Sequence, residues 1–200
     1  MFQPRNPVPS LGRMMVFIDG ENLVARYQSM IDAGRKPLGD VRHRKDTYVW
    51  SFPSVQPGLN VILRATYYTY AVGSADLVDE VAAELQDQRF QQYSILGENF
   101  TAQLVQTLYP KVLSKPKNRP GKGVDIQMTV DVLTNVYQNN LDTVYLVAGD
   151  GDYAPLINEA QRMGKHVIVA ALSSGLSPKL KLVADGFFSL DSCYFEPEQG

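Results

Sequence analysis

The chain has 200 residues and a mass of 22.3 kDa, a size that suits one domain with its own buried core. A hydrophobic content of 44% predicts a globular rather than a disordered protein, and no apolar run approaches the roughly 20 residues that span a bilayer. The single cysteine, Cys193, excludes an internal disulfide and fits a reducing compartment. We therefore expect a cytoplasmic protein that has no membrane partner.

The formal charge of −2 says little about partners because the basic residues are clustered. One cluster falls between residues 99 and 124, where Asp and Glu are absent, and comprises Lys111, Lys115, Lys117, Arg119 and Lys122. A second comprises Arg35, Lys36, Arg42, Arg44 and Lys45. Residues 115–123 (KPKNRPGKG) combine basic residues with proline and glycine, which predicts a loop.

The N-terminal elements follow from composition and spacing. Residues 1–13 are proline-rich and polar, and we interpret them as a flexible tail rather than a signal peptide. The apolar run MMVFI (14–18) predicts a buried strand, and the helical spacing of apolar residues predicts a helix over 21–33. Residues 35–58, rich in proline and glycine, are expected to form a loop or insertion with a short strand at TYVWSF.

The middle of the chain is less regular. The β-branched and aromatic segment 60–72 predicts a long strand, and 74–90 predicts a helix with Ser74 as its cap. A weaker strand is expected at 93–100, whereas 103–114 fits either a helix or a strand broken at its proline. The apolar stripe in 124–140 predicts another helix.

The last third alternates clearly between strands and helices. We predict strands over 143–149, 166–172 and 187–190, and helices over 153–164 and 177–186. Apolar strands between amphipathic helices predict an α/β fold in which helices cover both faces of a mainly parallel sheet. The domain is expected to span 14–192, followed by a C-terminal tail over 193–200.

Four aspartates fall where such a fold binds ligands. Asp19 follows the first strand, Asp150 and Asp152 follow the strand TVYLVAG, and Asp125 begins a helix. In open parallel sheets, ligands bind outside the carboxyl ends of the strands. Two carboxylates about 4 Å apart repel by about 4 kcal/mol at an effective dielectric near 20. With no basic residue in the adjacent motifs, we expect Mg²⁺ or Mn²⁺ to neutralise the four acids. The alternative is a distant lysine or arginine, such as Lys122, folded back over the site.

Each of these acids also has a purely local interpretation. Asp19 is placed to cap the following helix, Asp150 and Asp152 suit a turn with an N-cap, and Asp125 suits the helix dipole. Asn22 fits either a cap or a group that orients Asp19.

Several other polar and aromatic residues have a possible functional role and a structural one. Asp131 lies about 120° around the helix from Asp125, so we expect it to be solvated or to support the site indirectly. Tyr67, Tyr68 and Tyr70 suit base stacking, but burial against helices is favoured. Tyr194 and Phe195 are expected to be exposed, which would allow a homodimer.

Three motifs in order resemble a known family. FIDGENL (17–23), KGVDIQMTVDVL (122–133) and VAGDGDYAPLI (147–157), followed by GKHVIVA, are similar to an NYN domain of the LabA-like group, within the PIN-like nucleases. The resemblance runs from about Met14 to Leu190. The family usually has Ser-Gly-Asp-Ser-Asp-Phe where this chain has AGDGDY, so Ala148, Gly151 and Tyr153 depart from the pattern.

The resemblance implies a PIN-like three-layer α/β/α sandwich and metal-dependent cleavage of RNA. The family's metal-binding acids correspond to Asp19, Asp125, Asp150 and Asp152, and the Asn of its first motif corresponds to Asn22. We expect single-stranded RNA as the partner, with Lys117, Arg119 and Lys122 contacting its backbone and Asn22 as a further substrate-binding residue. Lys122 precedes a helix N-terminus, a natural anion site.

Three other interpretations stay open at this point. A Toprim-type site for nicking or primer chemistry would use Glu21 with the DGD motif, and leaves KGVD without a role. A module of the same fold would bind RNA or regulate without catalysis. A phosphoaccepting receiver is the third, although no lysine stands after a late strand.

Overall fold

The computed structural model describes residues 12–56, 58, 60–95, 101–115 and 123–197. Its strands are β1 (Arg13–Asp19), β2 (Arg42–Arg44), β3 (Tyr48–Trp50), β4 (Val61–Val72), β5 (Arg89–Ile95), β6 (Thr101–Thr107), β7 (Tyr109–Lys115), β8 (Thr143–Val147), β9 (His166–Ala171) and β10 (Gly186–Ser189). Its α-helices are α1 (Gly20–Asp32), α2 (Ala75–Gln86), α3 (Val124–Tyr137), α4 (Ala154–Arg162), α5 (Pro178–Val183) and α6 (Asp191–Tyr194). None of the helices in these ranges is long and apolar enough to cross a membrane.

Within the described ranges, six parallel strands form the central sheet in the order β10-β9-β8-β1-β4-β7. The pairs β2–β3 and β5–β6 are separate antiparallel ribbons. The ambiguous segment 103–114 is therefore strand on both sides of Leu108, which separates β6 from β7. Pro110 is tolerated because β7 is an edge strand of the sheet, where a missing N–H donor costs little.

Side chains of β1 alternate between the two faces of the sheet, as a period of two requires. Met14, Val16 and Ile18 pack in one apolar cluster with α1 and α2. Phe17 points the other way and packs in a second cluster with α3, α4 and α5. Helices therefore cover both faces of the sheet, which confirms the predicted α/β/α sandwich.

The tyrosines of β4 belong to these two cores. Tyr67 lies in the cluster beneath α1, and Tyr68 lies in the cluster beneath α3. Both are almost completely buried, and the Tyr67 hydroxyl donates to the carbonyl of Val49 at 3.1 Å. Burial against helices, rather than base stacking, is confirmed for this pair.

The insertion, described over residues 35–56 and 58, contains regular structure rather than an open loop alone. The ribbon β2–β3 contains the strand predicted at TYVWSF, and Trp50 is buried. The hydroxyl of Thr69 donates to the carbonyl of Thr47, which fixes the turn of the ribbon against β4. Arg44 pairs with two glutamates of α2, so part of the second basic cluster is neutralised within the chain.

Two local predictions are wrong. The core includes Cys193, Tyr194 and Phe195. The predicted C-terminal tail therefore does not begin at residue 193, because the chain is buried up to Phe195. The two aromatic rings also offer no exposed surface for a homodimer. Ser74 occupies the N-cap position of α2, but its side chain forms no capping hydrogen bond.

Candidate active site

The topology opens a crevice at the carboxyl edge of the sheet. From β1 the chain passes through α1, on one face, towards β4, whereas β8, on the other side of β1, is reached from α3 on the opposite face. Connections therefore diverge at the carboxyl ends of β1 and β8. Such a switch point is where open α/β sheets bind their ligands.

A cleft of about 610 Å³ lies at this switch point. All four aspartates singled out by the sequence line it, and Glu21 and Asn22 line it with them. The other lining residues come mainly from α3 and are Ala25, Ile126, Thr129, Val130 and Tyr153. Among these lining residues, five are carboxylates and none is a cation.

Asp19 is the buried member of the set, with 6% of its surface exposed. Its Oδ1 accepts a hydrogen bond from the backbone N–H of Asn22 at 3.0 Å, so the residue does cap α1. Its Oδ2 accepts from the hydroxyl of Tyr153 at 2.8 Å. Burial raises the pKa of Asp19, and the negative charges of Asp150 and Asp125 add to that rise while the two hydrogen bonds oppose it.

Gly20 makes this buried position possible. A Cβ atom at residue 20 would lie 2.2 Å from Cε1 of Tyr67 and 2.6 Å from the carbonyl oxygen of Tyr68. Because both distances are far below a van der Waals contact, only glycine lets the start of α1 pack directly on β4. The carboxylate of Asp19 is thereby held at the floor of the cleft.

The other three aspartates stand at its exposed rim. Oδ1 of Asp150 accepts from the backbone N–H of Asp152 at 3.0 Å and caps a short 3₁₀ turn over residues 151–153. Oδ1 of Asp125 accepts from the backbone N–H of Gly123 at 3.3 Å. The local interpretations are therefore confirmed for Asp19 and Asp150, and the same side chains also line one cleft.

Asn22 joins the two strands that carry the acids. Its Oδ1 accepts from the backbone N–H of Gly149 at 2.9 Å, just beyond β8. The side chain thus ties the first turn of α1, which follows Asp19, to the segment that carries Asp150.

The fit of a metal ion depends on donor chemistry and on ligand geometry. Carboxylate and amide oxygens are the ligands that Mg²⁺ and Mn²⁺ prefer, so the donor set fits a hard divalent cation. In the ranges that the structure describes, no three His, Cys, Asp or Glu side chains come close enough to hold one ion together. In this part of the chain the carboxylates therefore share a cleft without forming a closed ligand shell.

Of the predicted substrate-binding residues, Lys117, Arg119 and Lys122 lie outside the described residues. Lys111, from the same basic cluster, forms an ion pair with Asp131, and Asp131 also accepts from the Tyr68 hydroxyl at 2.8 Å. Burial alone would raise the pKa of Asp131, but the hydrogen bonds from Lys111 and Tyr68 outweigh it and lower this pKa. Asp131 is therefore a bridge between α3, β4 and β7, not a solvated acid.

Sequence reasoning missed the part that Tyr153 plays. The residue is buried, and its hydroxyl reaches the only buried acid among the cleft residues described here. The signal was present in the sequence, because Tyr153 replaces the Phe of the family pattern. Glu21, the acid that the Toprim alternative would use, also lines the cleft.

A parallel α/β/α sandwich with acids at its switch point defines the class of this protein, a PIN-like domain. A family model described as "NYN domain" matches residues 13–191, so the chain belongs to the NYN family, as the sequence motifs predicted. NYN domains belong to the PIN-like nucleases, and NYN nucleases act on nucleic acid. Membership of the LabA-like group stays a prediction.

Individual relatives add little about activity. Uncharacterized protein MJ0482 of Methanocaldococcus jannaschii is 39% identical over 71 residues, a match that covers 36% of this chain and 29% of that protein. The crystal structure of VPA0982 from Vibrio parahaemolyticus, a protein of unknown function, superposes with a TM-score of 0.56 at 19% identity. It covers 96% of this chain and 100% of that one, and it shows the fold alone.

Proposed function

We propose that this protein is a metal-dependent ribonuclease that hydrolyses phosphodiester bonds of single-stranded RNA at the acidic cleft. The observation that carries the proposal is the meeting of Asp19, Asp125, Asp150 and Asp152, from three separate segments, at one switch point. Membership of the NYN family supports nuclease chemistry.

The residues of the cleft divide into two groups in this proposal. Asp19 and Asp150 would hold a divalent cation directly, because both line the cleft and Asn22 ties together the segments that carry them. Asp125 and Asp152, at the exposed rim, would hold it through water or bind a second ion. The hydrogen bond from Tyr153 keeps the carboxylate of Asp19 in one orientation.

When bound, the cation would lower the pKa of a coordinated water and stabilise the leaving oxygen. The residues of the chain itself would bind the cation and the substrate, orient them and exclude bulk water. The acid-rich cleft repels a bare phosphodiester, so the substrate is held productively only when positive charge is supplied there. No titrating histidine is required for this chemistry.

A single-stranded substrate is supported by the walls of the cleft. Ile126 and Val130, one turn apart on α3, are both more than half exposed and line the cleft beside the acids. Apolar side chains of this kind suit unstacked bases, whereas the cleft lining offers no cations with which to grip both backbones of a duplex. RNA is preferred to DNA on family grounds.

The test is cleavage of a labelled single-stranded RNA in Mn²⁺ by wild type, Asp19→Asn and Asp150→Asn. The matched control is Asp76→Asn, at an exposed position of α2. Both cleft variants are expected to lose activity by on the order of 100-fold or more, while the control keeps it. Full activity of Asp19→Asn, or equal activity of the wild type in a chelator, would reject the proposal.

One observation favours a second candidate, an RNA-binding module without catalysis. Among the described residues no three acids form a closed metal site. RNA binding in a chelator, together with no turnover in Mn²⁺, would favour the module. A Toprim-type site makes a different prediction, since Glu21→Gln would then be more damaging than Asp125→Asn.

A further inference from the structure

One cation near the cleft has no partner in the described part of the chain. Arg26 lies on α1 four residues after Asn22, which is one turn and about 6 Å further along the helix axis. Its Nε is buried and forms no hydrogen bond. The ion pairs among the described residues include those of three other arginines, one lysine and one histidine.

The guanidinium of Arg26 is held in place by the loop that follows β9. A Cβ atom at Gly175 would lie 2.3 Å from Cζ of Arg26, so the guanidinium packs directly on the glycine backbone. Gly175 has a φ of +66°, a conformation that side chains rarely adopt. A larger residue would therefore both strain the loop and displace the arginine.

The same loop is fixed to the cleft. The backbone N–H of Ser177 donates to the carbonyl of Gly149 at 2.9 Å, and Gly149 in turn binds Asn22. A Cβ atom at Gly149 would lie 3.6 Å from the carbonyl oxygen of Gly175. The glycine on which Arg26 packs is therefore next to the Asn22–Gly149 contact at the edge of the cleft.

An arginine is always charged at physiological pH, and its planar fork matches a phosphate. A buried donor of a charged group that finds no acceptor is unfavourable, and carboxylates line the nearby cleft, yet none pairs with Arg26. Such an arrangement is expected where the acceptor arrives with the ligand.

We propose that Arg26, seated on the 173–177 loop, is a phosphate subsite that binds a backbone phosphate flanking the scissile one. This inference rests on the proposed function. The subsite lies beside the acids and attracts the nucleic acid without neutralising the carboxylates. The carboxylates therefore stay available for a cation. It also fixes the direction in which a single strand enters the cleft.

The test measures binding of a fluorescent single-stranded oligouridylate by anisotropy, in chelator, between about 50 mM and about 200 mM KCl. Arg26→Met keeps a long stem over Gly175 and removes the charge. Arg162→Met is the matched control, because Arg162 is an exposed arginine of α4 whose partner is Glu159. Arg26→Met is expected to weaken binding roughly tenfold at low salt. It should also reduce the slope of log K against log salt by about 0.7, the value for one phosphate on a single strand.

The outcomes separate this inference from the proposed function. Equal affinity and equal salt slope for Arg26→Met and wild type overturn the subsite, even if the wild type cleaves RNA. Weaker binding by Arg26→Met with no cleavage by the wild type supports the subsite and rejects the ribonuclease. No binding by the wild type at low salt overturns both. Arg26→Gln gives the same comparison if the methionine variant does not fold, and a thermal melt of each variant identifies that case.

Discussion

The hydroxyl of Tyr153 donates a 2.8 Å hydrogen bond to Oδ2 of Asp19, and both residues are buried. The contact joins the carboxyl end of β1 to the turn after β8, two segments that are 134 residues apart. It is the one hydrogen bond, among those between described side chains, that links the acid at the floor of the cleft to the DGD turn.

We predict that Tyr153→Phe destabilises the protein while it preserves the chemistry. Removal of the hydroxyl leaves a buried carboxylate with one donor fewer, which costs about 1–3 kcal/mol of unfolding free energy. Cleavage should stay within roughly tenfold of wild type, since phenylalanine is the usual family residue and the hydroxyl is a support rather than a ligand. Urea unfolding and an RNA cleavage assay measure the two effects. A loss of activity as large as that of Asp19→Asn would instead place Tyr153 in the catalytic machinery.

Asp19→Asn is expected to stabilise the metal-free protein at pH 7. Burial raises the pKa of Asp19 in the folded state, so the group favours folding below its unfolded pKa, and this contribution is lost as the pH rises through the folded pKa. At neutral pH the buried negative charge is therefore unfavourable, and its removal should raise the unfolding free energy by on the order of 1 kcal/mol. Urea unfolding in chelator, from pH 7 down to the unfolded pKa of an aspartate, measures the difference in unfolding free energy between variant and wild type. This difference should shrink as the pH falls.

When metal is added, the wild type should become more stable than Asp19→Asn. Mn²⁺ at ten times its dissociation constant stabilises the wild type by roughly 1.4 kcal/mol, which raises Tm by about 3–6 °C. Asp19→Asn should show a clearly smaller shift, and Asp76→Asn the full one. A wild-type melting curve that does not respond to the metal contradicts the proposed site.

Asp142 and Arg13 provide a stability prediction away from the cleft. Asp142 accepts from the backbone N–H, Nε and Nη2 of Arg13 at 2.8, 3.0 and 2.8 Å. The side-chain hydrogen bonds from Arg13, followed by the backbone one, lower the pKa of Asp142 to about 2. This carboxylate therefore stabilises the fold above about pH 4, its unfolded value, and the contribution disappears as the pH falls to about 2.

For that reason Asp142→Asn should lower the unfolding free energy at pH 7 by less than about 1 kcal/mol, because the pair is nearly half exposed and screened by solvent. The deficit should vanish near pH 2. Denaturant titrations at both pH values measure it, and a deficit that persists at low pH would show that the contribution of the pair is not electrostatic.

Gly20→Ala should be far more damaging than another glycine substitution in this chain. Its Cβ would meet the ring of Tyr67 at 2.2 Å, and overpacking of this kind costs about 1–3 kcal/mol or more. Gly39 is the matched control, since a Cβ there has nothing within 4 Å. Gly39→Ala should remain within about 0.5 kcal/mol of wild type. Equal unfolding free energies for the two variants would mean that α1 shifts freely on β4, which the geometry argues against.

Much of the site was readable from local sequence. The strands β1 and β8 are short apolar runs, and the acids that follow them are turn and cap residues that physical chemistry places at strand ends. The three motifs then predicted the NYN family, and the family model confirmed it. Errors concentrated where local pattern is weak, as at Cys193, Tyr194 and Phe195, which are buried by distant parts of the chain.

The sequence by itself determined most of the strands and helices, apart from the ambiguous segment 103–114, and which acids stand at strand ends, because both depend on the spacing of neighbouring residues. Only the tertiary structure decided that β8 lies beside β1, that the Tyr153 hydroxyl reaches Asp19, and that Arg26 has no partner among the described residues. These relationships join residues far apart in the chain. They depend on which surfaces pack together and on which buried groups find an acceptor, and no periodicity within a short segment records either.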